Sequence, residues 1–222
     1  LEMEQDRSFL GITNDIAICL KPKTHVEDFA IVAGFEKRNG MGSLSLDATI
    51  VNPAKKGQVY VEVEIWNPKG KQLDKMGKWV VFDKKAELTT NLSSDFGNIK
   101  PWTAETPNLY TCVIRIRDEK MQLIETVGTR FAFRKVEVKD GMLQVNGTPI
   151  NLRGVIYTNT DMATYEQDIK LMKQNNVNAV RTAVYSPLNE RFYELCDLYG
   201  LYVVCDANLQ PYSKLGKAVA AD

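Results

Sequence analysis

The hydrophobic period of the chain changes near residue 134, and this change limits the folds that its 222 residues can adopt. Before that point, from about residue 24, apolar and polar residues alternate, as in Val61, Glu62, Val63 and Glu64. A strand with this alternation buries one face and exposes the other to water, so Glu62 and Glu64 are expected at the surface. Several short strands of this kind predict an immunoglobulin-like β-sandwich at residues 24–134.

The cysteines indicate how this sandwich holds together. Tyr110 precedes Cys112 by two residues, the spacing of a tyrosine corner, but residues 24–134 contain no second cysteine for an inter-sheet disulfide. Packing alone must therefore stabilise the core. Spacings between the four cysteines of the chain fit no zinc template, and we expect free thiols, with those of Cys196 and Cys205 buried in apolar segments. A Cys196–Cys205 disulfide is the alternative, which the separation between a helix and a strand disfavours.

After residue 134 two turn signals come first. Asp140-Gly141 and Asn146-Gly147 are typical of tight β-turns and predict a short strand between them. Three strands separated by two helices follow, which predicts parallel pairing through right-handed crossovers. The expected elements are a strand at residues 151–156, a helix at 163–175, a strand at 179–184, a helix from an N-cap at Ser186 to Gly200, and a strand at 201–205.

Three parallel strands leave an open edge and an uncovered face, which is a poor arrangement for a soluble domain. We therefore interpret residues 135–222 as the first three βα units of a (β/α)₈ barrel, cut short. The predicted fold class is multi-domain β plus α/β, with the sandwich before the truncated barrel. Self-association through the open barrel edge is a possible consequence.

Charge and hydropathy exclude several classes of function. Lys+Arg and Asp+Glu are 28 each, so no basic excess favours a nucleic acid or an anionic membrane surface. No apolar run is long enough to span a membrane, and the polar, acidic start is not a signal peptide. Cytoplasm and periplasm both fit, so the compartment is not determined.

Four stretches carry a resemblance to glycoside hydrolase family 2 of the β-galactosidase type. They are PWTAETPNLY at 101–110, GTPINLRGV at 147–155, DIKLMKQNNVNAVR at 168–181 and FYELCDLYGLYVV at 192–204. Residues 11–18 also resemble the last strand of that family's jelly-roll sugar-binding domain. The resemblance implies a jelly-roll remnant at 1–23, then the sandwich at 24–134, then the start of the catalytic barrel at 135–222.

The family hydrolyses β-glycosides with retention, using two glutamates that follow barrel strands four and seven. The resemblance therefore implies that this chain contains no catalytic residue of its own and is inactive alone. Two other hypotheses stay open: a non-catalytic carbohydrate-binding or assembly module, and a segment of an active parent enzyme with an altered pocket.

The pocket-facing loops depart from the family pattern. After Arg153-Gly154-Val155 the family reads Asn-Arg-His-Glu-His, whereas this chain has residues 156–160, IYTNT. The family's histidine after the second strand is matched by Val184, and its magnesium-binding glutamate and histidine by Gln210 and Tyr212. An amide and a phenol make a weaker Mg²⁺ site than a carboxylate, so we predict that the metal site is lost and that no cofactor is bound.

Some candidate contacts to a sugar remain. Arg181 matches the family arginine that orients the nucleophilic carboxylate, although a salt bridge that only closes the barrel is the alternative. Asp206 and Asn208 are weaker candidates for a polar rim. Three tyrosines either stack on a sugar or anchor their loops: Tyr157, Tyr185 and Tyr212.

Overall fold

The structure, a computed structural model, describes residues 18–182 and 188–205, which fold into a β-sandwich followed by a small parallel sheet with two helices. The sandwich strands are β1 (His25–Glu36), β2 (Met41–Val51), β3 (Lys56–Trp66), β4 (Gln72–Asp83), β5 (Glu87–Phe96), β6 (Tyr110–Arg117) and β7 (Leu123–Phe131). Antiparallel sheets in the orders β1-β2-β5 and β4-β3-β6-β7 enclose one apolar core. This arrangement confirms the immunoglobulin-like sandwich.

The tyrosine corner forms as its spacing predicts. The Tyr110 hydroxyl accepts a hydrogen bond from the Lys100 backbone N–H at 3.0 Å and donates to the Lys100 carbonyl oxygen at 3.2 Å. The neighbouring Cys112 is buried and free, and burial raises the pKa of its thiol to about 12. A neutral thiol thus fills the core position where related sandwiches place a disulfide.

The prediction that Glu62 and Glu64 of β3 lie at the surface is wrong, because they are only 4 % and 7 % exposed. They lie on the outer face of the sheet, where longer cationic side chains cover them. Lys75 Nζ lies 2.9 Å from Glu62 Oε2, and Arg115 Nη1 lies 2.7 Å from Glu64 Oε1. Arg117 adds a contact of 3.4 Å to Glu62. Cross-strand partners that alternation alone cannot identify therefore bury these carboxylates.

These ion pairs should make the chain less stable in acid. Burial opposes ionisation of Glu62, but hydrogen bonds from Lys75 and Arg117 outweigh it and lower its pKa, and a hydrogen bond from Arg115 lowers the pKa of Glu64. A lowered folded-state pKa stabilises the fold above the ordinary value of 4.5 and loses that effect as the pH falls through the folded-state pKa. We expect the unfolding free energy, measured by urea titration, to fall between about pH 5 and pH 3. Each tenfold difference in proton affinity between the folded and the unfolded chain corresponds to ~1.4 kcal/mol of stability. A Glu62→Gln/Glu64→Gln double variant with an equally steep fall would contradict this.

A small hairpin connects the sandwich to the parallel sheet. Its strands are β8 (Val136–Lys139), β9 (Met142–Val145) and β10 (Thr148–Pro149). The residues at the centres of the two turns have φ between 52° and 73°, which confirms both tight turns: Asp140, Gly141, Asn146 and Gly147.

The parallel sheet contains β11 (Gly154–Tyr157), β12 (Ala179–Thr182) and β13 (Tyr202–Val204), with α1 (Tyr165–Gln174) and α2 (Glu190–Tyr199) as crossovers. This confirms the expected strand–helix–strand–helix–strand order. β11 starts three residues later than predicted, because the Asn178 side chain accepts from the Arg153 N–H at 2.7 Å and donates to the Asn151 carbonyl at 2.9 Å. These bonds take up backbone groups of residues 151–153.

The start of α2 also differs from the prediction. Asn189, not Ser186, is the N-cap, and its side chain accepts a hydrogen bond from the Arg191 N–H at 2.8 Å. Asparagine caps at least as well as serine, and Ser186 lies outside the described residues. Gly200 ends the helix at φ 79°, as predicted. Cys196 is buried as expected, whereas Cys205 is exposed, and both are free.

Candidate functional site at the carboxyl ends of the parallel strands

The two faces of the parallel sheet have different environments. Tyr157, Val180 and Thr182 are buried on the side that packs against the helices. Ile156, Arg181 and Val204 are paired in register across the sheet and lie on the opposite face, where Ile156 is 68 % and Val204 43 % exposed. In (β/α)₈ barrels the face away from the helices is the barrel interior, and sites form at its carboxyl end.

Arg181 is thus on the face where a barrel places its pocket residues, and its side chain is exposed. Among the other predicted site residues, Asp206 and Asn208 lie outside the described residues. The same holds for Val184, Tyr185, Gln210 and Tyr212. The sugar-contact role of Arg181, Asp206 and Asn208 therefore stays a prediction.

Tyr157 belongs to the core rather than to a sugar-stacking surface. Its ring stacks on Phe192 at 4.8 Å and meets the edge of Tyr165 at 6.2 Å, and only 6 % of the residue is exposed. Burial, together with the hydrogen bond to Asp168, raises the pKa of its hydroxyl above the ordinary value. Of the two roles considered for Tyr157, the geometry fits the anchoring one.

The loop that follows β11, residues 158–164, is held by side-chain hydrogen bonds. Asp168 Oδ2 accepts from the Tyr157 hydroxyl at 2.7 Å and from Asn159 Nδ2 at 2.9 Å. Asp161 Oδ1 accepts from the Ala163 N–H at 3.0 Å. These bonds join the loop at the carboxyl end of the first parallel strand to β11 and α1.

The sandwich and the barrel segment meet at a set of contacts around Trp102, which we call the joint. Trp102, fully buried, donates from Nε1 to the Asp197 carbonyl at 2.8 Å and packs edge-on against Tyr202 at 5.5 Å. The guanidinium of Arg134 lies 4.8 Å from the centre of the Trp102 ring. Trp102 of the sandwich thus contacts both α2 and β13.

Lys173 and Gly200 complete the joint. Lys173 Nζ donates to the carbonyl oxygens of Ala104 and Gly200, both at 2.8 Å, and burial lowers the pKa of its ammonium group. A Cβ on Gly200 would overlap the Ala104 carbonyl. Sequence reasoning missed this joint, although Trp102 between Pro101 and Thr103 in a turn-rich stretch is the signal that could have indicated it.

Comparison with known families agrees with this architecture. The model described as "Glycosyl hydrolases family 2" matches residues 24–134, half of the chain, and the model of the family's TIM barrel domain matches residues 136–219. The chain belongs to glycoside hydrolase family 2. Its described part comprises the immunoglobulin-like domain and the start of the family's barrel. The predicted jelly-roll remnant at 1–23 stays a prediction, since residues 1–17 lie outside the described residues.

The chain is similar to curated β-galactosidases over nearly its whole length. The chain is 37 % identical over 234 residues to a β-galactosidase of Photobacterium profundum, and 38 % identical over 240 residues to one of Vibrio vulnificus strain YJ016. Both matches cover 96 % of this chain and 22 % of the relative, so the chain spans about a fifth of their length.

Among solved structures, a family 2 member from Bacteroides cellulosilyticus gives a TM-score of 0.78 at 18 % identity, covering 84 % of this chain and 25 % of that one. A β-glucuronidase from Parabacteroides merdae gives 0.71 at 22 % identity, covering 82 % and 23 %. These structures share the fold.

Proposed function

We propose that these 222 residues supply the immunoglobulin-like domain and the first three βα units of the catalytic barrel to a family 2 glycosidase that acts on β-galactosides. The observation that carries the proposal is the parallel sheet, whose helix-free face holds Arg181 in register between Ile156 and Val204. The β-galactosidase names of the curated relatives support the choice of sugar.

In this proposal the chain contributes to the pocket but not to bond cleavage. Retaining glycosidases need two carboxyl groups about 5–5.5 Å apart, one as the acid and one as the nucleophile. In the family these follow barrel strands four and seven, whereas the described residues provide three parallel strands. The fork of Arg181 would orient the nucleophilic carboxylate, with Asp206 and Asn208 at the rim.

The residues at the family's magnesium positions do not fit that ion. Gln210 and Tyr212 offer a neutral amide oxygen and a phenol where Mg²⁺ prefers carboxylates and water. The proposed function therefore assigns no role to a metal ion. Treatment with a chelator should leave the rate of the glycosidase unchanged.

The experiment is a kinetic comparison on a longer polypeptide that contains these residues. Nitrophenyl β-galactoside, β-glucuronide and β-mannoside are assayed in parallel, and kcat/KM should be highest for the galactoside. An Arg181→Lys variant should lower kcat/KM, because an ammonium group lacks the planar fork. A higher kcat/KM for glucuronide or mannoside would contradict the galactoside proposal.

The second candidate function, an assembly module, is favoured by the exposed apolar side chains Ile156 and Val204 on the open face. In sedimentation velocity the chain should self-associate. Ile156→Glu should raise the apparent dissociation constant by about tenfold or more, since an isoleucine that becomes buried at the contact contributes ~1.5–3 kcal/mol. Val32→Glu is the matched control, because Val32 is 71 % exposed on the sandwich strand β1. A monomer at all concentrations, or equal effects of the two variants, would exclude this function.

A further inference from the structure

One carboxylate organises the loop at residues 158–164. Asp168, in the first turn of α1, accepts hydrogen bonds on Oδ2 from the Tyr157 hydroxyl at 2.7 Å and from Asn159 Nδ2 at 2.9 Å. The Thr164 hydroxyl, which donates to the Asp161 carbonyl at 3.0 Å, lies 3.4 Å from the same oxygen. These three neighbours of Asp168 belong to the end of β11, to the loop and to the residue that precedes α1. Asp168 therefore joins both ends of the loop to the helix.

The rest of the loop continues this network. Asn159 Oδ1 accepts from the Asp161 N–H at 3.0 Å, and the Asp161 side chain accepts from the Ala163 N–H. The Tyr165 hydroxyl donates to the Thr160 carbonyl at 3.2 Å. The bond to the Asp161 N–H depends on the position of Asn159, whose Nδ2 donates to Asp168 Oδ2 and, at 2.7 Å, to the Thr164 hydroxyl. Asp168 thus shares with the Thr164 hydroxyl the task of holding Asn159 in the loop.

We propose that Asp168 is a positioning residue for substrate binding, holding the 158–164 loop in the form in which its exposed residues contact the sugar. The proposal rests on the proposed glycosidase function, because loops at the carboxyl ends of barrel strands form the binding site. Five residues of this loop are exposed: Thr158, Thr160, Asp161, Met162 and Ala163. Their two hydroxyls can donate or accept hydrogen bonds to sugar hydroxyls, and the carboxylate can accept them. Asp168 acts through them and does not itself touch the sugar.

The test variant is Asp168→Asn, which keeps the shape of the side chain. The amide removes the negative charge, and the hydrogen bonds that Tyr157 and Asn159 donate to a neutral oxygen are weaker than those that they donate to a carboxylate. Glu166→Gln is the matched control: it removes a carboxylate from the same helical turn, but Glu166 accepts from Tyr199 at 2.6 Å and pairs with Lys170 at 2.8 Å, away from the loop.

Two readouts separate the role of Asp168 from the function itself. In the longer glycosidase, Asp168→Asn should raise KM for the β-galactoside by roughly tenfold and change kcat by less than about threefold, as expected for lost binding rather than lost chemistry. Hydrogen exchange on the 222-residue chain should show faster exchange at the Asp161 and Ala163 amides in Asp168→Asn only.

The outcomes are distinct. A raised KM with retained kcat, absent in Glu166→Gln, supports the proposal. An unchanged KM in an active background overturns it, even if the loop amides exchange faster, because Asp168 would then be structural only. A wild-type polypeptide that turns over no glycoside overturns the proposed function instead.

Discussion

Replacing Trp102 by alanine should lower the free energy of unfolding of the chain by about 3–5 kcal/mol, the usual cost of truncating a fully buried tryptophan. The ring is 0 % exposed and lies between the sandwich, α2 and β13. Its removal would leave a cavity, and the Asp197 carbonyl would lose the donor that now lies at 2.8 Å. Urea unfolding followed by far-UV circular dichroism measures the change.

The matched control for this prediction is Trp79→Ala. Trp79 is 40 % exposed on the outer face of the sandwich and packs mainly against Tyr60 at 5.2 Å. Its replacement should cost about 1 kcal/mol or less, as for other surface substitutions. Equal losses for the two tryptophans would show that Trp102 does not stabilise the joint.

Gly200→Ala should destabilise the chain by about 2–4 kcal/mol through two separate effects. The backbone φ of 79° disfavours any side chain by about 1 kcal/mol. In addition, the new Cβ would overlap the backbone carbonyl of Ala104, and a backbone atom cannot rotate away. Overpacking of this kind costs a further ~1–3 kcal/mol.

Gly141→Ala separates the two effects. Gly141 has a similar φ of 73°, and a Cβ there would meet no atom within 4 Å. Its replacement should therefore cost only the conformational part, about 1 kcal/mol. If thermal unfolding gave the same loss of stability for both variants, this would contradict the close contact between Gly200 and the Ala104 carbonyl.

Local sequence patterns predicted the parts of the fold that depend on neighbours in the chain. Alternation in β2, β3 and β6 identified the sandwich, and Asp140-Gly141 and Asn146-Gly147 identified the hairpin, because each of these signals acts within a few residues. The spacing of Tyr110 and Cys112 likewise predicted the tyrosine corner.

Features that depend on distant residues escaped prediction. Glu62 and Glu64 look like surface residues until the cross-strand partners Arg115 and Lys75 are known. Trp102 and the Asp197 carbonyl are 95 positions apart, so no local pattern relates them. At the site, the position of Arg181 could be inferred from the family, but the anchoring of Tyr157 by Asp168 could not, because Tyr157 looks equally suited to solvent and to the core.

The central claim is that this chain alone hydrolyses no glycoside, and the most direct test is turnover by the purified 222-residue chain. With nitrophenyl β-galactoside, β-glucuronide and β-mannoside, we expect no hydrolysis above the uncatalysed rate, since retention requires two carboxyl groups that the family places after barrel strands four and seven. The longer polypeptide, assayed in parallel, is the positive control. Turnover by the chain that persists through successive purification steps would contradict this claim.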